Sequence, residues 1–183
     1  MEEGYALYDG RPTGEGRTPV ELPVYDFLDS LGVRYKTLTH PAAFTIEECR
    51  KVRDRANVPV FKNLFLTNKQ QTRFYLLLLP GEKPFKTKYL SAQIGSARLS
   101  FADETHMMRY LGVTPGSVTP MGLINDKAKE VTLLIDRDLA SSEAFACHPC
   151  INTASLILRF EDLINTIIPA TGHTPTWVSL PNE

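Results

Sequence analysis

The 183-residue sequence predicts a single mixed α/β domain, α+β in character, with a mixed, curved sheet flanked by helices. Three observations carry this. Segments of helical spacing and segments of strand character follow one another without strict alternation. Two apolar runs flank a polar connector as the arms of a hairpin do. A hydrophobic content of 43% supplies one domain-sized core and leaves a second domain improbable.

Taken in order, residues 1–21 form a polar, glycine-bearing arm in which RPTGEGRTP has no periodicity. The fold begins at Leu22, and residues 22–183 make the domain. Leu22, Val24, Phe27, Leu28 and Leu31 fall at helical spacing, with Pro23 suited to the first turn and Gly32 to a left-handed stop. Val33 to Thr39 reads as a strand ended by His40-Pro41, since a residue before proline is pushed to extended geometry. Thr45 and Glu48 have capping-box spacing, so a second helix carrying Arg50, Lys51, Arg53 and Arg55 is expected after them. Phe61 to Thr67 and Arg73 to Leu79 form the hairpin, and the second arm, apolar throughout, is expected to be central. A short helix from Lys86 to Ile94 stops at Gly95, and Ser100 is placed to cap another that runs to Gly112. Val131 to Ile135 and Ala144 to Cys147 read as strands, Glu161 to Ile168 as a helix ended by Pro169, and Thr176 to Leu180 as a closing strand.

Composition excludes several classes. No apolar run reaches the length of a membrane helix, and MEEGYALYDG has neither a basic head nor a hydrophobic signal core, so a cytoplasmic protein is expected. Cys49, Cys147 and Cys150 are too few, and odd in number, for a disulfide framework. The net charge of -1 hides a polarised distribution. Residues 50–98 carry eleven Lys or Arg against Asp54 and Glu82, and the remainder carries nine basic and nineteen acidic residues. That segment is either a solvated face or a one-sided phosphate-binding surface.

Three places offer chemistry. Cys147-His148-Pro149-Cys150 has two thiols near an imidazole, but a tetrahedral zinc site needs four ligands and no partnering pattern supplies the rest. Adjacent strand residues face opposite ways, which also argues against a Cys-His nucleophile, so packed, unreactive thiols are expected. Lys62 lies between Phe61 and Leu64-Phe65-Leu66. It either points outward on an edge strand or meets an anion or carbonyl. Gly116-Ser117-Val118-Thr119-Pro120 is a loop whose backbone dipoles suit an ester substrate.

His40-Pro41 with Phe44-Thr45-Ile46-Glu47-Glu48, then Lys62-Asn63-Leu64-Phe65-Leu66, then Leu111 to Pro120 with Ile124-Asn125-Asp126, then His148-Pro149 with Asn152-Thr153-Ala154 form an ordered set. In order and spacing this set resembles the YbaK and prolyl-tRNA-synthetase editing-domain family, within it the free-standing ProX/PrdX (ProXp-ala) group. The resemblance spans roughly residues 22–180 and implies a barrel-like sheet and hydrolysis of a mischarged aminoacyl-tRNA, with alanyl-tRNA of proline identity as the substrate. It implies that Lys62, the Gly116, Ser117, Val118, Thr119 and Pro120 loop, and His148 form the catalytic site. Asn63 and Arg98, with Arg50, Lys51 and Arg53, would contact tRNA, while His40, Phe44 and Asn152 would shape the substrate pocket. No metal and no cofactor are implied. The attacking water would be assisted by the substrate's own ribose hydroxyl, and the pocket would admit alanine and exclude proline by size. The expected partners are the tRNA acceptor end and a prolyl-tRNA synthetase. Cysteines flank His148-Pro149 where related sequences often carry bulkier apolar residues, so pocket width stays open. Cysteinyl, seryl or D-aminoacyl esters are the alternative substrates, and a non-catalytic acceptor-stem or synthetase-binding module is the alternative class.

Overall fold

The computed structural model describes residues 4–14, 16–43 and 46–183. Phe44 and Thr45 lie outside them, so the capping box and the Phe44 pocket role do too. Among the described residues no helix is long and apolar enough to cross a membrane.

The elements make two sheets. The first is antiparallel and joins β1 (Ala6–Asp9), β2 (Lys36–Thr39), β8 (Ala154–Arg159) and β7 (Ala144–Cys147) in that order. The second runs β5 (Leu99–Phe101), β3 (Lys62–Asn68), β4 (Phe74–Leu79), β6 (Val131–Asp136), β9 (Thr176–Val178). In it β3 pairs antiparallel with β4 and β5, while β4–β6 and β6–β9 are parallel. The mixed α/β class is therefore as expected. A barrel-like sheet is not: neither sheet closes on itself, because each ends in separate edge strands. The two sheets touch where Val60, just before β3, bridges Ala146 of β7, and Ala146 N donates to Pro59 O at 2.9 Å.

The hairpin and its central arm follow from side-chain alternation. All six residues of β4 are buried, with Leu76 and Leu78 in the main core and Leu77 and Leu79 in a second core on the other face. The main core is locked at the seam by Phe61 stacked on Phe145 at 4.9 Å, with Phe160 edge-on to both.

Helix α1 (Leu22–Ser30) has Pro23 in its first turn and Gly32 at φ +66° after its end, as the sequence demands. Helix α2 (Ile46–Ala56) carries the basic residues, and α3 (Thr87–Gln93) ends before Gly95. Helix α4 (Glu104–Leu111) stops at Gly112, φ +64°. Its cap is Asp103, whose carboxylate accepts from His106 N at 2.9 Å; Ser100 is a residue of β5. A carboxylate one residue before the helix is better placed than a hydroxyl engaged in a strand. Helical structure also continues past Pro169, through a π segment (Leu163–Ile167) into Ile168–Thr171. The wider turn starts a new first turn at Pro169, where its missing N–H costs little.

The polar arm is not loose throughout. Ala6–Asp9 is an edge strand paired with β2, and Arg11 forms ion pairs with Asp26 and Asp29 of α1. Backbone pairing needs no side-chain pattern, so nothing in the sequence announced it. The Ile124-Asn125-Asp126 motif is structural: Asn125 Nδ2 donates to Leu111 O, and Asp126 accepts from the amides of Glu130 and Val131.

Candidate active site

A cavity of about 240 Å³ lies at the seam between the sheets. Larger hollows elsewhere, of about 540 and 740 Å³, gather fewer of the expected site residues. The cavity draws on six parts of the chain. Helix α2 contributes Cys49 and Val52, three positions apart and so on one face. The start of β3 contributes Val60, Phe61 and Asn63; the loop, Gly116 and Val118; the end of β7, Ala146, Cys147 and His148. Ala43 and Ser155 complete the wall.

The loop divides its work. Gly116 sits at φ +86°, a conformation other residues rarely adopt, and faces the cavity with Val118. Ser117, Thr119 and Pro120 are buried away from it. Thr119 Oγ1 donates to His148 O at 2.6 Å, and Pro120 opens a short 3-10 helix, Pro120–Ile124.

His148 is half-buried, and its Nδ1 bonds the Ala154 carbonyl at 2.8 Å. A carbonyl only accepts, so Nδ1 carries the proton and Nε2 the lone pair. Desolvation holds its pKa below the ordinary imidazole value. His40 is buried beneath the wall rather than lining it; its Nδ1 bonds Pro41 O at 2.8 Å and its Nε2 meets Ser155 Oγ at 2.9 Å. Burial lowers its pKa as well. The two rings are 6.1 Å apart.

The cysteines carry no thiolate. Burial pushes Cys147 and Cys150 up to about 12 and raises Cys49. Among the described residues no group of three or more His, Cys, Asp or Glu is arranged to hold a metal ion. The cavity wall is thus neutral, and it offers oriented dipoles rather than a charged nucleophile.

Lys62 is elsewhere. Alternation along β3 sets Phe61, Asn63 and Phe65 on the cavity and main-core face, and Lys62 with Leu64 and Leu66 on the other. Its ammonium meets a carbonyl, Lys83 O, at 2.6 Å. Lys83 is itself buried between Asp136 and Asp138. Asn152 also does not line the cavity; its carbonyl accepts from Ala43 N at 3.3 Å, holding the segment after β2 in place. Arg50, Lys51 and Arg53 ride on α2, with Lys51 paired to Glu47 and Arg53 to Glu82. Arg98 belongs to the 740 Å³ groove, beside Phe85, Lys86, Lys88 and Phe101.

Cys49, Val52 and Ser155 are site residues that sequence reasoning missed. The two on α2 had no signal, because only the tertiary fold brings that helix to the seam. Ser155 had one: a hydroxyl between Ala154 and the apolar run Leu156-Ile157-Leu158 is as odd as Lys62 in its own strand.

Residues 40–166 match the family model described as aminoacyl-tRNA editing domain. The chain belongs to that family. It is accordingly an aminoacyl-tRNA hydrolase. Among its relatives, a prolyl-tRNA editing protein ProX of Acetoanaerobium sticklandii is 38% identical over 80% of this chain and 89% of that protein. A prolyl-tRNA synthetase associated domain-containing protein 1 of Danio rerio is 32% identical over 91% of each. A crystal structure described as a candidate trans-editing enzyme for prolyl tRNA synthetase superposes with a TM-score of 0.67 at 16% identity, over 91% of this chain and 100% of that one. At that identity the likeness is one of fold.

Proposed function

We propose that this member of the editing family is a free-standing deacylase that removes alanine from tRNA of proline identity, without a metal and with the ribose hydroxyl of the substrate assisting water. The observation that carries the reading is the cavity itself, small, largely apolar and, among the described residues, lined by no charged side chain. Attraction alone separates small side chains by about 1–3 kcal/mol. The apolar side chains of Val52, Val60, Phe61 and Val118 along the wall would discriminate further by exclusion, and the names of the relatives point to proline tRNA. With the wall thiols held protonated by burial, the reading assigns activation of the water to the ribose hydroxyl of the substrate itself.

The tRNA would lie over the basic side of the molecule. Helix α2 walls the cavity with one face and presents Arg50, Lys51 and Arg53 on another. The groove with Lys86, Lys88 and Arg98 also exposes Phe101, and Lys88 Nζ stands 4.7 Å from the Tyr89 ring. Cations beside open aromatic faces suit phosphates and unstacked bases. Lys62 spends one of its three N–H donors on Lys83 O and keeps two for an acceptor-end phosphate. A prolyl-tRNA synthetase would hand over the mischarged tRNA.

The test is release of labelled amino acid from a panel of alanyl-, seryl-, cysteinyl- and D-aminoacyl-tRNAs, with wild type and Lys62→Ala. Alanyl-tRNA of proline identity should be hydrolysed fastest and Lys62→Ala should be slower. A wild type no faster than spontaneous hydrolysis on every member would sink the reading and favour a binding module.

A further inference from the structure

A buried ion pair stands behind the lysine that begins β3. The side chains of Lys83 and Asp136 are 2% and 0% exposed, a cation and an anion taken almost wholly out of water. Lys83 Nζ donates to Asp136 Oδ1 at 3.0 Å and to Asp138 Oδ2 at 2.8 Å. Asp136 Oδ2 is also 2.8 Å from that nitrogen but, among the described residues, has no hydrogen-bond partner, so charge alone holds it. Asp136 Oδ1 accepts from Asp138 N at 2.9 Å as well, and Asp136 is the last residue of β6, in register with Val178 of β9.

Stability does not account for this arrangement. Desolvating two charges costs about what their attraction returns, and apolar residues of similar volume commonly serve as well. What the pair supplies is place. Lys83 closes a tight turn out of β4, its N–H donating to Pro80 O at 3.0 Å. Within that turn Gly81 lies against the backbone of Val60, where a Cβ would come within 2.5 Å of Val60 O. The turn is thus tied to the end of β6 by the Lys83 side chain and seated on the chain of the cavity wall by Gly81. The group it presents is the Lys83 carbonyl, which accepts from Lys62 Nζ at 2.6 Å. A lysine ammonium on its flexible stem samples many positions unless an acceptor fixes it.

We infer that Lys83, held by Asp136 and Asp138, is a positioning residue for Lys62, its carbonyl aiming the Lys62 ammonium at the acceptor end of the tRNA. Lys83, Asp136 and Asp138 do not line the cavity and act on the reaction only through Lys62. This rests on the deacylase reading above and on the part that reading gives to Lys62.

The experiment is a double-mutant cycle. For alanyl-tRNA of proline identity, kcat/KM is measured in wild type, Lys62→Ala, the paired substitution Lys83→Met with Asp136→Asn, and all three changes together. Thermal melting establishes that each is folded. The two charges are removed together because deleting one alone strands the other in the interior, and asparagine keeps an acceptor for Asp138 N. The paired substitution should lower kcat/KM roughly tenfold when Lys62 is present and by less than about twofold when Lys62 is already alanine. Asp138→Asn, which weakens the hold from its half-exposed side, should show the same pattern at smaller size and takes the place of a paired variant that does not fold. No loss beside Lys62, or equal losses in both backgrounds, overturns the inference, since a merely structural ion pair would be additive. A Lys62→Ala enzyme as active as wild type overturns it too, and all these results leave the deacylase reading standing. A wild type no faster than spontaneous hydrolysis on every aminoacyl-tRNA of the panel overturns that reading, and the inference with it.

Discussion

Thr119 and His148 are joined by a 2.6 Å hydrogen bond from the threonine hydroxyl to the histidine carbonyl, across 29 residues of sequence. The glycine loop and the histidine turn therefore move as one wall. Thr119→Val preserves shape but leaves that carbonyl without its donor. It should cost about 1–3 kcal/mol in urea unfolding and slow deacylation by more than the loss of folded protein accounts for.

His40 and His148 both have pKa values depressed by burial. The folded state holds fewer protons than the unfolded chain once the pH falls below the ordinary histidine value of about 6.5. Their neutral forms thus favour folding above that value, and the benefit is lost as pH drops through the folded values. Unfolding free energy should be level from about pH 7 to 8 and fall below about 6.5, with a shallower stability loss in His148→Gln, whereas kcat/KM, which follows the folded enzyme, should hold to lower pH and fall only through the depressed folded values. Stability that rises on acidification would contradict the assignment.

Ser155 Oγ lies 2.9 Å from His40 Nε2 and lines the cavity, the distance of a nucleophile and its base. If the ribose hydroxyl of the substrate does the work, Ser155→Ala should retain turnover within about tenfold, whereas an acyl-enzyme route would lose roughly a thousandfold or more. A burst of released tRNA, with amino acid retained on the protein, would reassign the chemistry to Ser155.

The groove of Lys86, Lys88 and Arg98 should act on binding and not on the bond. Charge reversal at Arg98 should raise KM for tRNA with little change in kcat. Replacing all three cations should flatten the dependence of log KM on log salt by roughly one unit of slope for each phosphate no longer neutralised. An unaltered slope would move the tRNA off this face.

Much of the scaffold is legible in the sequence. The six apolar residues of β4 can only be a strand covered on both sides, and Gly32 and Gly112 stop helices because their backbones take positive φ. What escapes is held by backbone or by tertiary placement. Ala6–Asp9 is too short for periodicity, Ala154–Arg159 starts inside the Asn152-Thr153-Ala154 motif and is masked by it, and Ser100 yields its capping role to Asp103. At the site, Gly116, Val118, Asn63 and His148 are legible as residues that converge. The side chain of Lys62 is not, since one step along a strand reverses the face and only the register fixes which face is which. Cys49 and Val52 need the packing of a helix against a seam, which no local pattern encodes.

The seam where Val60 meets Ala146, backed by the stacked rings of Phe61 and Phe145, also fixes how far apart the cavity walls stand. If the cavity measures the amino acid as proposed, its gauge is not a local device but a dimension of the folded molecule. Loosening the ring stack should degrade discrimination before it abolishes turnover, and lower thermal resistance with it.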